Sequence, residues 1–277
     1  MTLKTLALLL APLLGLNALH ANADATLDKL NERHRISVGV MLTGLPFGTL
    51  DPRTRQPVGY NVELANELGK RLGVAVDTVA VLPPNRVQFL QQGKVDVLIA
   101  NMQLTEERAQ ILDYPPTPYE QVGGAAVIRK GAGIHQWADL AGKPVCVSQG
   151  SNFIEPLQQY GAQIKAFRSQ SESLLSLRGN GCVAAVHVAP TMRALLDQAE
   201  WAGYETPLPN ELIPSDSVMW VRKGEHDFQA RVDAIIRDWH RSGWLIELGK
   251  RTGMAPSPAL YALHDKFKDS APLQAAQ

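Results

Sequence analysis

Apolar positions along the chain alternate between two periods. Ile36 to Met41 is a β-branched-rich run that predicts a strand, stopped by the turn signal Thr43-Gly44-Leu45-Pro46. From Asn61 to Leu72 the period changes: Leu64, Leu68 and Leu72 fall at i, i+4 and i+8, with Val62 and Ala65 beside them, and Gly73 closes the helix. Val74–Val81 is the next strand, Asn85–Gln92 a short helix, and Val95–Ala100 a compact apolar strand. Thr105 to Ile111 reads as a helical turn capped by Thr105, with Glu106 and Glu107 in its acidic first turn. Pro115, Pro116 and Pro118 break this pattern, and an extended crossing runs from Tyr119 to Val127.

The same grammar restarts after Gly131. Strands are predicted at Pro144–Ser148, Ile164–Phe167 and Cys182–Val188. Helices are predicted from the Gln149–Asn152 turn to about Tyr160, over Ser171–Leu177 and over Pro190–Ala199. Pro214 to Val221 is a second extended crossing. A long amphipathic helix carrying Phe228, Val232, Ile235, Ile236 and Trp239 stops at Gly243, and another spans Trp244 to Arg251; the tail after Phe267 is expected to fray. Strands alternating with helices define an α/β class. Two such units joined by two crossings imply two lobes with a cleft between them: residues 24–118 with 220–277, and residues 123–214, hinged near 118–122 and 215–219. Ligands of α/β sheets sit beyond the carboxyl ends of strands. The turns Thr43–Phe47, Asn101–Arg108, Gln149–Asn152 and His187–Pro190 are therefore expected to face one another.

The N-terminus changes the picture of where the protein acts. Lys4, the Leu/Ala run to Leu19 and Ala21-Asn22-Ala23 form a cleavable export signal over residues 1–23, which places the mature protein in the periplasm. The apolar run is short for a membrane span. Lys+Arg and Asp+Glu balance at 27 each, so no overall charge draws the chain to nucleic acid. Cys146 and Cys182 form either a disulfide, as an oxidising compartment allows, or two buried free thiols. Neither has metal-ligand spacing, and no cofactor or metal is expected.

Several short motifs stand in order over the mature chain: Gly59-Tyr60-Asn61-Val62-Glu63-Leu64-Ala65, Asn85-Arg86-Val87, Leu90-Gln91-Gln92-Gly93-Lys94-Val95-Asp96, Ala100-Asn101-Met102-Gln103-Leu104-Thr105-Glu106-Glu107-Arg108, Asp139-Leu140-Ala141-Gly142-Lys143, Gln149-Gly150-Ser151, His187 with Pro190, and Val221-Arg222-Lys223-Gly224. They resemble the amino-acid-type periplasmic solute-binding proteins, bacterial extracellular solute-binding family 3. The resemblance implies a two-lobed periplasmic-binding-protein-like (type II) fold, each lobe a mixed sheet flanked by helices. It implies a receptor that delivers a small carboxylate-bearing solute, an amino acid or a relative of one, to an ABC permease in the inner membrane. A monomer is expected. A few relatives in this family are dehydratases of cyclohexadienyl acids, and a sensing role is a third alternative.

Arg108 is the foremost site candidate, because a guanidinium grips a carboxylate bidentately and does not titrate away. The matching Arg of the family holds the ligand's α-carboxylate. A surface pair with Glu107 or Asp113 is its bland alternative. Asn101 and Gln103 are expected on one side of the strand-to-helix turn by strand alternation, and Thr105 as cap or ligand contact. Ser151 and Asn152 are expected to open a helix whose N–H groups meet the carboxylate from the other lobe. His187 matches a position that precedes an ammonium-holding Asp in relatives; this chain has Val188 there. Met41, Gly44 and Pro83 likewise replace an acid and aromatics. Either the ligand has no α-ammonium, or Glu120, Glu155 or Asp216 supplies the counter-charge.

Overall fold

The computed structural model describes residues 24–273; the export signal expected over residues 1–23 lies outside them. In chain order, α1 (Ala25–Arg33) leads into β1 (Arg35–Val40). The two-stranded β2 (Thr49–Leu50) and β3 (Pro57–Val58) follow, then α2 (Tyr60–Leu72), β4 (Ala75–Ala80), α3 (Arg86–Gln91), β5 (Val97–Ile99) and α4 (Glu106–Ile111). Next come β6 (Glu120–Arg129), a 3-10 turn (Trp137–Leu140), β7 (Pro144–Ser148), α5 (Ile154–Gln159), β8 (Gln163–Phe167), α6 (Gln170–Arg178), β9 (Ala184–Val188), α7 (Ala189–Leu196), β10 (Tyr204–Glu205) and β11 (Leu212–Ser217). The chain closes with α8 (His226–Arg241), α9 (Trp244–Thr252) and α10 (Pro258–Phe267).

Two sheets organise these elements. The first is parallel, in the order β4-β1-β5. The second runs β10-β6-β9-β7-β8, with β11 also on β6; β7, β8 and β9 are parallel and β6 is antiparallel to its neighbours. Parallel strands need crossover helices, which cover both faces, so their residues are buried on both sides. Ile36, Val38, Val40, Val97 and Ile99 therefore face Leu64 and Leu68 of α2, while Leu98 points the other way to Leu90 and Trp220. In the second sheet Val145 and Val147 join the first core, and Cys146 joins Leu174, Leu177 and Trp201 behind it. Helices α8 and α9 return to pack on α2, so the first layer is built from both ends of the chain.

The chain passes from the first sheet to the second at Tyr119-Glu120 and comes back after Ser217. These passages lie side by side: the Tyr119 N–H donates to Ser217 O (3.0 Å), and Leu98 bridges to Trp220.

Several expectations need correction. The helix expected from Ser151 begins at Ile154. Pro156 is the reason, because proline fits only the first turn of a helix, where no N–H is required and no preceding carbonyl is struck. α1, the β2–β3 pair and α10 have no strong apolar period, although Ser257 and Pro258 carry the N-cap and N1 signature of α10. The segment expected to fray after Phe267 is held as far as Leu273, whose N–H donates to Asp238 Oδ1 (3.1 Å). The alternatives for the cysteines resolve to a disulfide, with Cys146 and Cys182 Cα atoms 5.8 Å apart. Among the described residues no helix is long and apolar enough to cross a membrane.

Candidate functional site

The site begins with a glycine. Gly59 has φ +125°, and a Cβ there would strike Phe47 O at 2.7 Å. Its absence lets the Pro46–Phe47 turn accept from the Tyr60 and Asn61 N–H groups (2.8 and 2.9 Å) at the start of α2. Asn61, fully buried, then donates its Nδ2 to Asn101 Oδ1 (2.6 Å). Asn101 is itself left-handed (φ 49°), a conformation that Asn tolerates better than most residues. Strand alternation thus does not hold between Asn101 and Gln103. The left-handed turn after β5 brings both to one cavity instead.

That cavity, about 40 Å³, lies between the two sheets. Met41, Pro83, Arg86, Asn101 and Gln103 line it from the first; Ser148, Ser151, Asn152, Phe153, Gln170, His187 and Val188 line it from the second. Of the residues singled out in the sequence, Asn101, Gln103, Ser151, Asn152 and His187 meet here. Thr105 does not: it caps α4, its Oγ1 accepting from the Arg108 N–H (3.3 Å). The Thr43–Leu45 part of the first turn faces a neighbouring, larger groove against α6 and α7.

Arg108 stands just outside the lining and ties the two sides together. Its Nη1 donates to Gln103 O (2.6 Å) and its Nη2 reaches across to Gly150 O (2.9 Å). Asp113, its expected alternative partner, pairs with Lys223 (2.9 Å). Arg86, which the sequence reading passed over, is buried in the wall. Its Nη1 donates to Ala100 O (2.7 Å) and Asn101 O (3.2 Å). Both guanidiniums therefore bond to neutral carbonyls. Burial, and after it the nearby positive Arg108, lower the Arg86 pKa to about 9 against the opposing influence of Tyr119. Burial likewise lowers Arg108 to about 10, against the favourable charge of Glu107. Two partly desolvated cations side by side call for an anion.

The remaining polar groups sharpen that demand. Gln103 Nε2 and Asn152 Nδ2 are buried donors without a hydrogen-bond partner. His187, at the end of β9, shares a 2.8 Å hydrogen bond between its Nε2 and Ser173 Oγ. Burial lowers its pKa to about 3, so the imidazole is neutral. Among the described residues no Asp or Glu lines the cavity. Glu120 instead accepts from Ser257 Oγ and Gln121 N–H beside a different hollow, Glu155 is exposed on α5, and Asp216 accepts from Gln121 Nε2 (3.1 Å). Ser151 Oγ accepts from the Phe153 N–H (3.2 Å), so it stabilises the turn before α5 and not the helix start. Ser148 and Gln170, neither of them expected from the sequence as a ligand contact, complete the polar wall as the last residue of β7 and the first of α6.

A small donor-rich cavity closed between two α/β sheets, with the chain crossing twice between them, defines a two-lobed solute-binding protein. The chain belongs to the bacterial extracellular solute-binding proteins, family 3, whose model matches residues 36–253. It is 28% identical over 233 residues to the L-cystine-binding protein TcyJ of Escherichia coli K12, covering 82% of this chain and 86% of that one. Among solved structures, a mutant of ArgBP from T. maritima superposes with a TM-score of 0.76 at 26% identity, over 82% of this chain and 99% of that chain. An ancestral arginine-binding protein bound to glutamine gives 0.74 at 29%, over 79% and 97%.

Proposed function

We propose that the protein is the extracytoplasmic receptor of an ABC importer and holds a small carboxylate-bearing solute in the cavity between its sheets. The observation that carries this reading is the pair of guanidiniums, Arg86 and Arg108, that meet only backbone carbonyls and sulfur on the protein side. In the relatives a bound amino acid is named by the protein itself: L-cystine for TcyJ, arginine or glutamine for the ancestral protein. Here the carboxylate of the solute is taken to lie against Arg86 and Arg108, with Asn101, Gln103, Ser151, Asn152 and His187 around it. Thr105 serves by holding α4 in place.

The lobes of this reading are residues 24–118 with 220–277, and residues 123–214. Their hinges are the paired crossings near 118–122 and 215–219, and the permease recognises the closed form. Residues 1–23 direct export to the periplasm, and the receptor acts as a monomer. Binding is favoured over dehydration chemistry because a general acid must reach the leaving group. The wall offers no carboxyl for that, and His187 is held neutral.

Thermal unfolding with a panel of carboxylates tests the reading. At least one of them raises Tm of the native protein, and Arg108→Ala and Arg86→Ala each reduce that gain, by a loss of about tenfold or more in affinity for a charge-assisted pair. Equal stabilisation of the native protein and both variants would remove the guanidiniums from the site.

A further inference from the structure

We infer that the solute is an organic acid with no α-ammonium group, of the 2-oxo acid class, and not a zwitterionic amino acid. This rests on the reading of the cavity as a carboxylate site and narrows its ligand.

The charge on the wall is the first reason. Arg86 in the wall and Arg108 just outside it contribute two positive charges, and among the described residues no acidic side chain lines the cavity. Val188 occupies the end of β9 with an apolar side chain, 7% exposed and facing the cavity. An ammonium placed here would be buried with cations for neighbours and no counter-charge, the most costly arrangement for a polar group in a low-dielectric site. A ligand carboxylate alone, by contrast, reduces the excess positive charge.

Hydrogen-bond polarity is the second reason, and it is independent of charge. Gln103 Nε2 and Asn152 Nδ2 are donors already removed from water and still unmatched. A ligand ammonium brings three more donors and no acceptor. A 2-oxo group presents an acceptor at the same carbon, with the two lone pairs that unmatched amides can fill. Such mismatches discriminate strongly, because the group left unpaired is buried on the protein side as well as on the ligand.

Isothermal titration calorimetry on the mature protein, stripped of bound solute by unfolding and refolding, compares matched pairs that differ only at the α-carbon. The probes are pyruvate and L-alanine, 2-oxoisovalerate and L-valine, 2-oxoglutarate and L-glutamate, and further pairs from the same series. The expected result is that the tightest-binding pair favours its 2-oxo acid by at least tenfold. An amino acid binding as tightly as its 2-oxo partner, or more tightly, overturns this inference and leaves the receptor reading standing. Failure of every carboxylate in both series to bind overturns the receptor reading and this inference with it. Val188→Asp, checked for folding by circular dichroism, should shift the preference toward the amino acid by tenfold or more; an unchanged preference in the folded variant overturns the charge argument.

Discussion

Glu120 stands at the first crossing, 2% exposed, with Oε1 accepting from Ser257 Oγ (2.5 Å) and the Gln121 N–H (2.8 Å) while Oε2 has no partner. Burial is the main cause that raises its pKa to about 7, more than those two bonds lower it. The folded carboxyl keeps its proton where an unfolded one, near 4.5, has lost it, so its contribution is complete below pH 4.5 and fades as pH rises through 7. His187 has the opposite sign. With a folded pKa near 3 against 6.5 in the open chain, it favours the fold above pH 6.5 and ceases to do so as pH falls toward 3. Between pH 4.5 and 6.5 the two oppose each other. Chemical denaturation against pH should show the difference: Glu120→Gln loses the decline in stability toward pH 7, and His187→Gln loses part of the decline toward acid. A pH profile unchanged by either substitution would place the titrating groups elsewhere.

Elements here are held as much by cross-links as by their own propensities. α1 buries only Thr26 and Leu30 from its length, and its N-cap Asp24 also accepts from the Phe228 N–H (2.7 Å) at the start of α8. The disulfide works similarly for the second sheet. β7 and β9 are parallel neighbours, with Cys146 opposite Ala185, so the segment leading into β9 brings Cys182 within bonding distance. The bridge closes a loop across 36 positions of sequence, which in the chain-entropy account restricts the unfolded state by about 3–4 kcal/mol. Cys146→Ala with Cys182→Ala should lower stability by about that amount in urea titration. No change would mean that packing around Trp201 and Leu174 already does the work. The α6–β7 and α6–β9 contacts should survive, since Leu174 and Leu177 stay buried against the sheet.

At the scale of the whole molecule, the contact from Arg108 Nη2 to Gly150 O joins the two sides. On the proposed reading, a carboxylate at the guanidinium would compete for the same donor and replace one neutral acceptor by a charged one, a stronger hydrogen bond. Closure is then driven by the difference in affinity of the solute for the closed and open forms. Small-angle scattering should give a smaller radius of gyration with a saturating carboxylate than without one. Arg108→Ala should lose most of that contraction, because the group that bridges the sides is gone. Equal radii with and without solute in the native protein would rule out closure about the crossings.

Most helices and strands were legible in the chain because burial on both sides of parallel strands leaves continuous apolar runs, and because the α2 face repeats at i, i+4 and i+8. Gly73 and Gly243 marked helix ends by the same local logic, both being left-handed. Asn101, Gln103, Ser151, Asn152 and His187, which line the cavity, could be singled out because they follow or end strands, which is a property of order along the chain. Arg86 was not, since nothing local distinguishes an arginine that opens a helix in solvent from one buried against the carbonyls of Ala100 and Asn101, fourteen and fifteen positions away. The cysteine pairing and the counter-charge for a solute were likewise open, because each depends on distances between segments far apart in sequence. Local propensity and periodicity determined which elements form and where their ends lie. Only the tertiary structure decided which charges meet: it brought Arg86 beside Arg108 and left Glu120, Glu155 and Asp216 out of the cavity wall.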